Sequence, residues 1–153
     1  MPNPPVLDPA TLTAETGATD YPQSFRPQVA GRHRVVLGDR LGLSNFGVNL
    51  TRLAPGASSA LRHWHSRQDE FVYVVEGELT LVTDAGETRL TPGMCAGFPQ
   101  GVADGHRLIN RSDRPASFLE VGDRSGGDEI DYSDEDMVWR DGTYRHRDGS
   151  AWE

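Results

Sequence analysis

From Arg32 onward the chain is a succession of short apolar or alternating runs, separated by Gly, Pro, Asp and Ser. Alternation of apolar and polar residues is the period of a half-buried β-strand, and frequent turn residues keep each strand short. No long amphipathic run has helical period, so nothing is available to cover both faces of an open parallel sheet. The pattern therefore predicts an all-β fold, either a double-sheet jelly roll or a closed barrel.

Nine strands are predicted from these runs. They are Arg34–Leu37, Gly47–Leu53, Ser59–Trp64, Phe71–Val75, Leu79–Thr83, Glu87–Leu90, Cys95–Phe98, His106–Asn110 and Ser117–Val121. Two turn sequences, Glu76-Gly77-Glu78 and Asp84-Ala85-Gly86-Glu87, lie between strands. Glycine supplies the positive φ of a tight turn, so these sequences predict consecutive hairpins.

The 153 residues suit one domain, with a barrel over residues 31–122. Six of the ten prolines lie within the first 27 residues, which predicts an extended arm over residues 1–30. Residues 123–153 are acidic and hold too few aliphatic residues for a second core. We expect the rings of this tail to pack on the barrel or on a neighbouring subunit. The alternative is a solvated, partly disordered tail.

Charge and cysteine content limit the partners. The net charge of −8 repels nucleic acid and anionic lipid, and no apolar stretch is long enough to cross a bilayer. The single cysteine, Cys95, has no internal partner, and the amino terminus lacks the basic and apolar regions of a secretion signal. We expect a cytoplasmic homodimer whose ligand or substrate is a small molecule, with no nucleic-acid or membrane partner.

A cluster of metal-ligating residue types begins at His63 and His65. Two residues apart on a strand, their imidazoles point to one face, and neutral imidazole is a favoured ligand of transition metals. Glu70 opens the next predicted strand and shares a face with Val72 and Val74. Burying a carboxylate among apolar side chains costs free energy unless the carboxylate is paired or bound to a metal, so the pattern favours a metal site.

A third imidazole comes from a distant segment, where His106 shares a predicted strand face with Leu108 and Asn110. A lone pair of histidines two residues apart is more often an ordinary surface pair than a metal site, because short motifs occur by chance. Here a glutamate and another histidine accompany the pair. Three of the chain's five histidines therefore fall in positions that suit one metal site.

These two segments resemble the paired motifs of the cupin superfamily. The first motif runs from glycine through His-x-His, four residues, Glu, six residues and Gly, and the second runs from glycine through Pro-x-Gly, His, three residues and Asn. The matching residues here are His63, His65, Glu70 and Gly77, then Gly93, Pro99, Gly101, His106 and Asn110. Gly56 precedes His63 by one residue more than the usual pattern, and Gly101 precedes His106 by two more. Turns tolerate such insertions.

The resemblance implies a double-stranded β-helix barrel in which His63, His65, Glu70 and His106 hold one divalent Fe, Mn, Ni, Co or Zn ion. In a six-coordinate ion these ligands leave two open positions, which is typical of catalytic sites. The first hypothesis is a metalloenzyme acting on a small polar metabolite, similar to cupins described as sugar-phosphate isomerases. The alternatives are a metal-dependent dioxygenase and a non-catalytic binding or sensing module.

Residues near the motifs have simpler expected roles. Asp69 is an alternative ligand to Glu70, but alternation places it on the opposite strand face. We expect Cys95 to be a small buried hydrophobe. Arg107 and Asp104 flank His106 and are candidates to contact an anionic substrate at the barrel mouth. Three aromatic residues are expected to pack in the core, namely Phe71, Tyr73 and Phe98.

Overall fold

Short β-strands dominate the computed structural model, which describes residues 2–152. In chain order the strands are β1 Glu15–Thr16, β2 Arg32–Val36, β3 Phe46–Leu53, β4 His63–His65, β5 Glu70–Glu76, β6 Leu79–Thr83, β7 Gly86–Leu90, β8 Cys95–Phe98, β9 Arg107–Ile109, β10 Ala116–Asp123, β11 Ile130–Tyr132, β12 Met137–Arg140 and β13 Thr143–Arg145. Three short 3-10 helices span Pro9–Thr11, Gln23–Val29 and Asp39–Leu41. No helix within the described residues is long and apolar enough to cross a membrane.

The strands form three antiparallel sheets. Six strands pair in the order β1-β2-β3-β10-β5-β8, four in the order β13-β12-β11-β4, and three in the order β7-β6-β9. The all-β prediction is confirmed. Most predicted strands lie within two residues of the observed ones, but residues 59–62 bend instead of extending β4. The carbonyl of Ser59 in this bend accepts a hydrogen bond from the Arg32 side chain instead of a ladder partner.

Strand β5 shows how alternation separates the interior from the outer surface. Val72 and Val74 are buried in the main core. Burying each such aliphatic side chain contributes roughly 1.5–3 kcal/mol. Glu70 lies two residues before Val72 on the strand, so the carboxylate predicted to bind metal also faces inward. The main core consists of Leu53, Ala57, Val72, Val74, Leu79, Leu90, Leu108, Ala116 and Phe118.

The opposite face of the six-stranded sheet is apolar and exposed. Phe71 and Tyr73, expected in the core, are instead 40% and 42% exposed, because they alternate with the buried Val72 and Val74. Cys95 pairs with Tyr73 across the ladder and is also exposed, so its expected burial is wrong. We call this surface the outer face; it consists of Val35, Val48, Leu50, Phe71, Tyr73, Leu119 and Val121.

One of the two predicted hairpins is wrong. The turn at Asp84 and Ala85 joins the paired strands β6 and β7, as predicted. The turn at Gly77, however, joins strands of different sheets, since β5 pairs with β8 and β10 and β6 pairs with β7 and β9. Gly77 has φ of 76°, and a Cβ there would lie 2.7 Å from the Pro115 carbonyl oxygen. The chain therefore crosses between sheets at a point with no room for a side chain.

The two ends of the chain meet in a second apolar cluster. Within the segment predicted as an extended arm, the chain forms two 3-10 helices and places Tyr21 and Val29 in this cluster. Tyr132 and Met137 come from the acidic segment 123–153, where we expected too few aliphatic residues for a second core. Aromatic rings supply the missing apolar area: Tyr21 and Tyr132 pack edge to face with ring centroids 5.8 Å apart.

Replacing Gly77 with alanine is expected to destabilise the fold more than the same change at Gly142. Both glycines have nearly the same positive φ, 76° and 78°, but a Cβ at Gly142 meets nothing within 4 Å. Gly142→Ala should therefore cost about 1–2 kcal/mol from backbone strain alone, and Gly77→Ala roughly 1–3 kcal/mol more from the clash. Urea unfolding of the two variants measures the difference. Equal midpoints would show that the crossing at Gly77 is not sterically tight.

Candidate metal centre

Three separate segments bring together the four residues predicted to bind metal. His63 and His65 lie on β4, Glu70 begins β5, and His106 immediately precedes β9. The backbones of His63 and His106 form a β-bridge with hydrogen bonds of 3.2 and 2.9 Å. A Cβ at Gly105 would lie 1.9 Å from the Ser133 hydroxyl oxygen, so only glycine fits beside His106.

The side chains converge around the Glu70 carboxylate. Its Oε2 lies 2.6 Å from His106 Nε2 and 3.5 Å from His63 Nε2, and its Oε1 lies 3.3 Å from His65 Nε2. One ligand atom each from His63, Glu70 and His106 lie within 4.8 Å of one another. The described structure therefore brings His63, Glu70 and His106 together as a group that could hold an ion, and His65 contacts the other oxygen of Glu70.

The donor set fits a divalent transition metal. Glu70 Oε2 is buried and has no aligned hydrogen bond among the described residues, although an imidazole nitrogen lies 2.6 Å away. A buried oxygen in contact with nitrogens but not aligned with a donor is the arrangement expected where an ion completes the site. Three imidazoles and one carboxylate suit first-row divalent ions.

Hydrogen bonds on the far side of two rings orient the histidines. Nδ1 of His63 lies 2.7 Å from the Leu61 carbonyl oxygen, and Nδ1 of His65 lies 2.6 Å from Asp128 Oδ2. Each acceptor favours the proton on Nδ1 and leaves Nε2 free to face the centre. The ring of His106 stacks on Phe98 with centroids 3.6 Å apart. Phe98 therefore packs beside the centre as well as against the main core.

Asp128 is a site residue that the sequence analysis missed. Its carboxylate is buried, and besides His65 it accepts a hydrogen bond of 2.9 Å from the backbone N–H of Arg67. It comes from the acidic segment 123–153, and 63 residues separate it from His65. Nothing in the local sequence distinguishes Asp128 from the other acidic residues of that segment. Only the pairing of β11 with β4 shows their proximity.

The electrostatics of the cluster follow from burial and from the mutual contacts. Burial raises the pKa of Glu70, but His106, His63 and His65 outweigh this effect and hold that pKa well below its usual range. Burial lowers the pKa of His65, but Glu70 and Asp128 together raise it to about 9. Burial also lowers the pKa of His106. A metal ion that binds His65 Nε2 therefore displaces a proton at neutral pH.

The structure also places the three residues that flank the predicted ligands. Asp69 is exposed and accepts a hydrogen bond from the backbone N–H of Gln100, so it is not an alternative ligand. Arg107 contacts Gln28, lines neither of the two cavities at the cluster, and alternates with His106 along the strand, so it faces away from the centre. Asp104 accepts a hydrogen bond from the backbone N–H of Asp84 and lines a smaller cavity of about 80 Å³ together with His65, Glu70 and His106.

A cavity of about 490 Å³ adjoins the cluster. Its wall is mixed and includes arginine, glutamate and tyrosine side chains beside apolar residues such as Val72, Phe98 and Phe118. Burial raises the pKa of Tyr21, Tyr132 and Tyr144 above the ordinary value, so these hydroxyls stay protonated at neutral pH. The volume is that of a site for a small molecule. The polar residues that line it include Tyr132, Arg32, Arg34, Glu120 and Asn49.

Comparisons with known proteins identify the family. The Cupin domain profile matches residues 49–122, and comparison with curated proteins gave no match. A crystal structure described as a sugar phosphate isomerase from a cupin superfamily, from Silicibacter pomeroyi, is 45% identical with a TM-score of 0.92, and the match covers 97% of each chain. A putative sugar phosphate isomerase from Acidithiobacillus ferrooxidans is 30% identical with a TM-score of 0.69, and the match covers 74% of each chain.

A more distant structure matches in fold alone. A predicted oxalate decarboxylase from Thermotoga maritima is 18% identical with a TM-score of 0.63, over 78% of this chain and 99% of that one. These matches confirm the predicted jelly-roll fold, although its three sheets do not join into a single closed sheet. The chain belongs to the cupin superfamily.

Proposed function

We propose that the protein is a metal-dependent enzyme that acts on a small polar metabolite, with the ion held by His63, His65, Glu70 and His106. The observation that carries this proposal is the convergence of three imidazoles on the Glu70 carboxylate, whose buried Oε2 has no aligned hydrogen bond, at the wall of a cavity. When bound, a divalent ion supplies Lewis acidity to a substrate oxygen. A cytoplasmic location is part of the proposal.

Hydrogen-bonding and ionisable groups in the mixed cavity wall favour catalysis over simple binding. An enzyme needs ionisable or hydrogen-bonding side chains beside the open metal positions, whereas a binding module can line them with apolar groups. The wall carries the Glu120 carboxylate and the Tyr132 hydroxyl. Glu120 Oε1 accepts hydrogen bonds from Asn49 and Thr51, which fixes this carboxylate in the cavity. The Glu120 carboxylate and the Tyr132 hydroxyl are polar groups of the kind that an enzyme places beside its substrate.

Isomerisation of a sugar phosphate is the reaction to test first, because both relatives at 30% identity or more are described as sugar phosphate isomerases. The protein should be purified without an affinity metal, its metal identified by elemental analysis, and the sample assayed with sugar phosphates and for oxygen uptake with small aromatics. We expect isomerisation that a chelator abolishes. Oxygen uptake without isomerisation would instead indicate a dioxygenase, and inactivity in both assays a binding module.

Loss of His65 is expected to abolish stoichiometric metal binding, because His65→Ala removes one of four ligands and leaves Glu70 with two imidazoles. Asp128→Asn should retain the ligands but weaken affinity by roughly 10–100-fold, since it disturbs the orientation of the His65 ring. Elemental analysis and titration with Co(II) measure both effects. His33→Ala is the matched control, because His33 bonds Thr16 away from the cluster. Wild-type occupancy in His65→Ala would refute the ligand set.

We also propose that a second copy of the chain covers the outer face. Its apolar residues form rows across the sheet, and soluble monomers rarely expose large apolar patches. Sedimentation equilibrium should give twice the 16.8 kDa mass of one chain. Phe71→Glu places a charge in this face and should yield monomers, whereas Val6→Glu alters an exposed apolar residue elsewhere and should not. A monomeric wild type would refute the dimer.

A further inference from the structure

Arg34 stands on the inner wall of the cavity with unused hydrogen-bonding capacity. Its Nε lies 2.8 Å from Glu120 Oε1, yet this buried nitrogen has no aligned hydrogen bond among the described residues. The side chain is 28% exposed and lines the cavity. A guanidinium carries five N–H donors in a planar fork, and buried donors in folded proteins are nearly always paired. Nε faces Glu120, and the terminal nitrogens donate no hydrogen bond within the described residues, so these terminal donors are available to a molecule in the cavity.

Glu120 positions this guanidinium. Because Asn49 and Thr51 both donate to Glu120 Oε1, at 3.1 and 3.0 Å, the carboxylate is anchored on β10 and has a fixed location. Arg34 reaches across β3 to contact it, since β2, β3 and β10 are neighbours in the sheet. The contact limits the rotamers of a long side chain, so less entropy is lost when Arg34 binds a ligand.

The local charge on this part of the wall is positive. Arg32 is also close to Arg34 and Glu120, so two guanidinium groups share one carboxylate. Arg32 is occupied, because its two terminal nitrogens each donate to a backbone carbonyl, of Ser59 and Ala18, at 2.6 Å. Of the two arginines, Arg34 is the one whose terminal nitrogens donate no hydrogen bond within the described residues. A guanidinium with free terminal donors beside a second guanidinium is a binding site for an anion.

The other carboxylates of the cavity wall, those of Asp20, Asp123 and Glu70, contact protein groups other than Arg34. Asp20 accepts from the Tyr144 hydroxyl at 2.8 Å, and Asp123 accepts from the backbone N–H groups of Asp69 and Ser125 at 2.6 and 2.8 Å. Arg34 therefore has no further acidic partner among the cavity-lining residues besides Glu120.

The distance to the His–Glu cluster suits a small molecule. Gly122 pairs with Glu70 across β10 and β5, and Glu120 pairs with Val72. Glu120 and Glu70 are thus diagonal neighbours on the inward face, with backbones roughly 7–8 Å apart. A molecule of a few heavy atoms spans the gap between the cluster and the guanidinium beside Glu120.

We propose that Arg34 binds the anionic group, a carboxylate or a phosphate, of a substrate whose other end lies at the His–Glu cluster. Arg34 is then the residue that selects anionic substrates over neutral ones. This inference rests on the proposed function, because it places the substrate between the cluster and Arg34. Both anions have oxygens that match the guanidinium fork, and a neutral polyol offers no charge to compensate Arg34.

The test is an NMR chemical-shift titration of the full chain as purified, with inorganic phosphate in one arm and acetate in the other. Wild type should bind at least one anion, and Arg34→Gln should weaken that binding about tenfold or more, because it removes a charge-assisted contact. Arg34→Lys should retain part of the affinity, since it keeps the charge but loses the fork. The anion that binds more tightly identifies the group.

Arg52→Gln is the matched control, because it removes the same charge from the neighbouring strand at an exposed position. It should leave affinity within about twofold of wild type, since exposed charges are screened by solvent and salt. Equal affinities for wild type and Arg34→Gln, or no binding of either anion by wild type, would overturn the inference. If Arg34→Gln does not fold, Arg34→Lys with unreduced affinity for both anions would overturn it.

Elemental analysis of each sample separates the two proposals. Wild type without stoichiometric metal would refute the metal-dependent function, whatever the anion titrations show. Wild type with its metal but with binding that does not depend on Arg34 would refute only the anion site. Phosphate binding by His65→Ala that still depends on Arg34 would show directly that Arg34, and not the ion, holds the anion.

Discussion

The buried carboxylate of Glu70 is the interaction on which the inner end of the barrel depends. Strand alternation turns this side chain inward with Val72 and Val74, where a charge without a partner is strongly unfavourable. Three imidazole nitrogens lie within 3.5 Å of its oxygens. The bridge between His63 and His106, and the contact of His65 with Asp128, aim those nitrogens at the carboxylate.

Both ends of the chain complete the cavity that adjoins this cluster. Tyr21 comes from the amino-terminal segment and Tyr132 from the acidic carboxy-terminal one, and their rings pack against each other at the cavity wall. Strand β11 pairs directly with β4, which carries His63 and His65. The carboxy-terminal segment thus supports the candidate metal centre through its backbone as well as through Asp128.

Features that depend on neighbouring residues were predictable from the sequence. The strands β6 and β8 were predicted to the residue, because period-two alternation and turn residues are local signals. Features that depend on pairing were not predictable: the Gly77 turn resembles a hairpin, yet it joins two sheets. For the same reason Phe71 and Tyr73 were assigned to the core, although the outer face of the sheet leaves them exposed.

The sequence by itself determined the all-β class, because strand period is a local signal, and its motif spacing predicted four candidate metal ligands, His63, His65, Glu70 and His106. Only the tertiary structure decided that Asp128 supports His65 and that Arg34 lies beside Glu120. The first contact joins residues that are 63 positions apart, and the second joins residues that are 86 positions apart. The local sequence does not distinguish these side chains from the many other acidic and basic ones. Sheet pairing selects among them, since it alone determines which distant strands become neighbours.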